Sequence, residues 1–283
     1  MDIQLGTERI FVLRERDGAD LIRQQAMDHR TQAFGSGLGS LLSRPKADDV
    51  ELVASQRRLE PMWHVAGRAT YVYERSRDYK VVASGSEVRE VTILGTDHAV
   101  AGGGPGAGSG TFTLAAIEHC REEIAHTLDA DARTGARVAD SAAVLSGPRD
   151  EVADPATLTA DDTIVIPPEQ RASFVVRQLL AEMLKPVQAD RILEESLTLE
   201  TIDLCYRPIR AYEFHWKSKD KRGVVEIDAV TGTFRQGGSF LPQLGRVITR
   251  DALFDIGADT IGLLVPGGSI AVKVARAALD KSY

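Results

Sequence analysis

Alternation constrains this chain most. Trp63, Val65, Ala69, Tyr71 and Tyr73 share one parity, and so do Tyr212, Phe214 and Trp216. Aromatic and β-branched residues repeating with period two mark a half-buried strand, because successive side chains point to opposite faces of a sheet. Each alternating run follows a proline, Pro61 or Pro208, and each has a second proline landmark upstream. LLSRPKADD (Leu41–Asp49) resembles MLKPVQADR (Met183–Arg191) through Pro45 and Pro186. Each run leads into a charged segment, ERSRD or KSKDKR, and then a second apolar run, KVVASGSEVREVTIL or GVVEIDAVTGTF. The sequence therefore predicts an internal duplication of helix, proline-bounded link and antiparallel hairpin. The expected fold class is α+β: two related helix-plus-antiparallel-hairpin modules with a helical C-terminal extension.

The rest of the chain is fitted around those modules. Residues 8–16 read as a strand, 19–33 as a helix, and PPEQRASFVVRQLLAEMLKP as a helix ending before Pro186. In TFTLAAIEHCREEIAHTLD, Leu114, Ile117, Cys120, Ile124 and Leu128 fall on one stripe at helical spacing, which predicts a helix. Residues 129–163 are rich in Asp, Ala, Thr and Gly and read as a loosely held acidic connector. Thr249 is placed to cap a helix, and a last helix is expected from Ile270 to about Asp280, capped by Ser269. The expected divisions are a first module at 1–100, glycine loop, helix and connector at 101–164, a second module at 165–245, and the extension at 246–283.

The segment YEFHWKSKDKRGVVEIDAVTGTFRQGG carries a family resemblance. An alternating strand, a polar tip and a strand ending in Val225, Ile227, Asp228, Thr231 and Gly232 resemble a PepSY-type hairpin. The resemblance covers residues 212–237 and implies a small helix-on-antiparallel-sheet fold with a binding or inhibitory role. It carries no catalytic residues over. The first half lacks the Asp-x-x-Thr-Gly element. From its own residues, Asp228 reads as a turn aspartate that hydrogen-bonds nearby backbone.

Three patterns could carry chemistry. AGGGPGAGSGT (Ala101–Thr111) sits where a phosphate loop would, but no lysine follows its last glycine, no register gives GxGxxG, and Pro105 removes a donor. It is expected to be a flexible loop, with Thr111 capping the helix after it. His119, Glu123 and His126 stand at i, i+4 and i+7, so on a helix they would share one face and could hold a divalent metal; the same face is where a helix keeps its solvated charges. His64 and His215 each adjoin a tryptophan and point away from the aromatic face. With Arg68 and Arg210 they make a candidate binding surface.

A net charge of -7 removes a general basic field for nucleic acid. The two cysteines form no CxxC pair, and no long apolar run or basic leader stands at the start. The expectation is a cytoplasmic, non-catalytic binding or assembly protein with a protein partner or self-association, no cofactor and no membrane span. The alternatives are a metal-dependent or small-molecule enzyme using His119, Glu123 and His126, and a peripheral membrane protein using the C-terminal segment.

Overall fold

The computed structural model describes residues 2–35, 45–102, 108–159, 163–236, 249–254, 256 and 273–276. In chain order its elements are β1 (Asp2–Leu5), β2 (Glu8–Leu13), α1 (Ala19–Asp28), β3 (Val50–Ser84), β4 (Glu90–Ile93), β5 (Thr96–Ala99), β6 (Ser109–Asp131), α2 (Ser141–Leu145), β7 (Arg149–Glu151), β8 (Ile164–Val165), α3 (Ala172–Met183), β9 (Arg191–Trp216), β10 (Lys221–Asp228), β11 (Phe234–Gln236), α4 (Arg250–Leu253) and β12 (Lys273–Arg276). Ten of these strands join one mixed sheet, while β4 and β5 form a separate hairpin.

Strand β9 organises the sheet. One edge pairs antiparallel with β3, from Val50 opposite Trp216 to Glu74 opposite Arg191. Its other edge is shared in succession by β1 and β2, both parallel, and by β10, antiparallel. Register shifts between Leu52 and Ala54, Ala66 and Gly67, and Val72 and Tyr73 interrupt the long β3–β9 ladder. Such bulges bend and twist a strand pair, which lets strands this long coil rather than lie flat. The far edge of β3 pairs with β8 and then, from Met62 to Ser84, with β6.

The alternation predicted from sequence decides the faces. Trp63, Val65, Ala69, Tyr71 and Tyr73 are buried in one cluster with Val175, Val176, Leu179, Leu180 and Met183 of α3. Each large apolar α3 side chain so covered contributes about 1.5–3 kcal/mol. Trp63 Nε1 donates to Gln170 O at 2.8 Å, which satisfies the indole in the core. Farther along the same face, Tyr212, Phe214, Val225 and Ile227 pack under Ile22 and Ala26 of α1. Both tryptophans lie on this helix-bearing face; Trp216 meets Phe34 edge-on and donates to Asp49 Oδ2 at 2.7 Å.

The helix-plus-hairpin fold class is overturned: the described residues are mostly strand, organised around one large mixed sheet. The ERSRD segment is not a hairpin tip but lies inside β3, where Arg75 pairs with Glu118 across the ladder. TFTLAAIEHCREEIAHTLD is not a helix but β6, so Thr111 lies inside a strand and caps nothing. The duplicated module fails with them, since β3 is one continuous strand whereas β9 and β10 form the hairpin expected of the second half. The acidic connector is ordered over most of its length, with β6 ending in it, Val144 of α2 fully buried, and β7 pairing with β2. Residues 273–276 form a strand beside β1 rather than part of a helix. Thr249 has the backbone of an N-cap to α4 but makes no side-chain cap bond. Ser269 and residues 103–107 of the glycine loop lie outside the described residues.

Candidate functional surface

The sheet face opposite α1 and α3 carries charge among its apolar side chains. Phe11, Leu13, Met62, Val144, Cys205 and Val230 form a small core there. To one side, Asp203 is fully buried and receives two hydrogen bonds from Arg9, at 3.0 and 3.1 Å. Arg149 stands 3.8 Å away and stacks on the Phe11 ring, 4.4 Å from its centroid. Burial pushes the Asp203 carboxyl up, and the pull of Arg9 only partly offsets it. Next to it, His64 Nδ1 lies 2.6 Å from Asp129 Oδ1. Burial works against the Asp129 charge, but hydrogen bonds from His64 and Ser141 hold the carboxyl below its usual range.

To the other side, Arg207 forms an ion pair with the fully buried Asp228 and donates to Asp140 Oδ2 at 2.8 Å. Arg58 reaches Glu226 at 2.6 Å and Glu60 at 2.9 Å. Arg235 bridges Glu60 at 3.0 Å and Asp228 at 3.7 Å. Asp228 also serves its turn, accepting at Oδ1 from the N–H groups of Val230 and Thr231 at 2.8 and 3.0 Å. Gly232 closes that turn at φ +75° with Arg16 packed against it, so a side chain there would be both strained and crowded. Each arginine in this row is matched to a carboxylate. The row therefore fixes strand register and leaves little unpaired charge for a ligand.

The residues singled out by sequence are dispersed. On β6, His119 and Glu123 share a face while His126 takes the other, because the true period is two. His119 lies 3.2 Å from Glu74, and His126 lies 3.7 Å from Glu182. Among the described residues no group of His, Cys, Asp and Glu side chains is arranged to hold a metal ion. His64, Arg68 and His215 share the face opposite the helices, but β9 separates their ends. His64 is opposite Asp203 and His215 opposite Glu51, twelve β9 residues apart, or about 40 Å. Arg68 pairs with Glu200, and His215 with Asp220. Arg210 is on the helix-bearing face, where it shares Glu15 with Arg57.

Arg9, Arg58, Asp203, Arg207 and Glu226 stand outside the candidate sites that the sequence patterns mark. A signal was present in VVEIDAV: Glu226 and Asp228 alternate with Val225, Ile227 and Ala229, which puts two carboxylates on one face of a buried strand.

A second feature lies at the other end of β3. Beyond Glu74 the ladder with β9 stops, and residues 75–84 continue paired with residues 109–118 of β6 as a two-stranded ribbon about 33 Å long. Its surface is partly apolar: Tyr79 is 46% exposed, and Val82 and Ile117 are each 62% exposed. The β4–β5 hairpin rises from the same end. Its turn residues Leu94 and Gly95 both have positive φ, at 49° and 81°, which is the backbone of a type I′ turn. A leucine is held there in an uncommon conformation with its side chain fully in solvent.

Among the described residues no helix is long and apolar enough to cross a membrane. Comparison with protein-family models, curated proteins and solved structures gave no match.

Proposed function

We propose that this chain is a non-catalytic binding or assembly protein that presents its β3–β6 ribbon to a macromolecular partner. The observation that carries the reading is the exposure of Tyr79, Val82 and Ile117 on this extension of the sheet, with Leu94 exposed at the turn of the separate β4–β5 hairpin. An isolated pair of strands is marginally stable in water, and apolar side chains on it gain from being covered. The matched charges on the sheet's broad face favour a structural role for that face. The PepSY-type resemblance of the β9–β10 hairpin points the same way, to binding rather than chemistry. A cytoplasmic setting belongs to the same proposal and is supported by free Cys120 and Cys205.

Site-specific photo-crosslinking tests this in the native cell. A benzophenone side chain replacing Val82 or Ile117 is expected to give discrete crosslinked species. The same group at Leu21, which is 52% exposed on α1, is expected to give none. Equal labelling at the three positions, or none on the ribbon, removes the proposal.

A further inference from the structure

We propose that the partner of the ribbon is a second copy of this chain, paired antiparallel along the β3 edge in a register centred on Tyr79. The inference rests on the ribbon being the binding element and adds its occupant and geometry. The edge concerned continues the one that carries β9. Asp190 N donates to Glu74 O at 2.9 Å, and Ser76 N donates to Asp190 Oδ2 at 2.5 Å. Even-numbered residues of β3 therefore direct their backbone groups to this side. From Asp78 onward that edge has no strand partner among the described residues.

An antiparallel pair of identical strands about a two-fold axis must set even-numbered residues opposite even-numbered ones here, because only these offer N–H and C=O on the shared edge. Centring on Asp78 sets two aspartates opposite each other, and centring on Lys80 sets two lysines. Like charges directly opposite are destabilising. Centring on Tyr79 sets Asp78 opposite the partner's Lys80 and Lys80 opposite the partner's Asp78. Tyr79 then faces the partner's Tyr79, with Arg77 opposite the partner's Val81. Residues 76–80 are all exposed, and neither Asp78 nor Lys80 makes an ion pair among the described residues. Their charges are thus free for a partner. Asp190 already occupies Ser76 N–H, so the paired stretch is Arg77–Val81 of each chain. The product is a continuous four-stranded array running β6, β3, the partner's β3 and the partner's β6, which removes an edge that would otherwise template disordered association.

Light scattering on the purified full chain, with charge-swap variants, tests the register. The wild type is expected at twice the monomer mass. Asp78→Lys and Lys80→Asp are each expected at one chain mass, and the double variant D78K/K80D is expected to return to two. Recovery in the double variant separates lost pairing from lost folding. In a Cys120→Ser background, Tyr79→Cys is expected to form a disulfide-linked dimer under mild oxidant, since Cα atoms of such a non-hydrogen-bonded pair sit about 4.5 Å apart, within disulfide reach. A monomeric wild type, or a dimer indifferent to both single reversals, overturns the inference. Crosslinks from Val82 to a different protein would overturn it too, while leaving the ribbon as the binding element.

Discussion

Replacing Arg207 with methionine tests whether the charged row holds the sheet together. The side chain of Arg207 is 8% exposed, and that of its partner Asp228 is 0% exposed. Methionine matches much of the arginine's stem but leaves a carboxylate in a site with little water. Removing one member of a buried pair costs about 3–5 kcal/mol, mostly from the charge left behind. The lower end, about 3 kcal/mol, is expected here for two reasons. Arg235 remains 3.7 Å from Asp228, and the backbone N–H groups of Val230 and Thr231 still point at its Oδ1. At about 2–4 °C per kcal/mol for a chain of this size, Tm should fall by about 6–12 °C. Urea unfolding should show a lower midpoint with an unchanged slope. Adding Asp228→Asn removes the stranded charge and keeps an oxygen for the turn, so R207M/D228N should recover about 1 kcal/mol or more. The reasoning is refuted if R207M lies within about 1 kcal/mol of wild type. It is equally refuted if the double variant is less stable than R207M alone.

Two further outcomes follow from burial. The Tyr206 hydroxyl is buried without a hydrogen-bond partner among the described residues, and Tyr206→Phe should therefore raise stability by about 1 kcal/mol in the same urea assay; a loss of that size would reveal a partner. Burial pushes the Cys205 thiol up to about 12, so at pH 8 a thiol reagent should modify only the half-exposed Cys120 until the chain is unfolded, and equal rates for both cysteines would contradict the packing.

The strands with a clear period of two were legible in advance, together with their buried faces. The hairpin tip at Lys217–Lys219, followed by left-handed Asp220, was legible because charge and turn chemistry coincide there. Helices α1 and α3 were legible from apolar spacing and the proline after α3. Strand β6 was not. Its Ala and Glu residues favour helix, and Leu114, Cys120, Ile124 and Leu128 satisfy both a helical stripe and an alternation, with only Ile117 of the stripe out of phase. What decided the matter is a register of 23 residue pairs with β3, a partner that local propensity cannot see. In the same way ERSRD reads as a turn until Arg75 is given Glu118, and Tyr73 is given Glu122 at 2.7 Å. His119, Glu123 and His126 share a face only at helical spacing; at the period of two that β6 has, His126 falls on the other face. The buried charges were hidden for a related reason: each makes sense only beside a partner from a distant strand, as Arg9 does beside Asp203.

The central place of β9 has a consequence for how the protein comes into being. Asp2 pairs with Ser196, a separation of 196 − 2 = 194 residues. Glu8 pairs with Ile202, again 194 residues away. At about 5–20 residues per second, a ribosome needs about 10–40 s to make the strand that β1 and β2 require. Until β9 is made, β1 has no strand partner among the described residues, and β2 has only its three pairs with β7. The hairpin of β3 and β6 can close first, since its pairs are nearer in sequence, and would give β9 a template when it arrives. Such long-range closure slows folding, because loop entropy must be met before the β1–β9 and β2–β9 pairs can form.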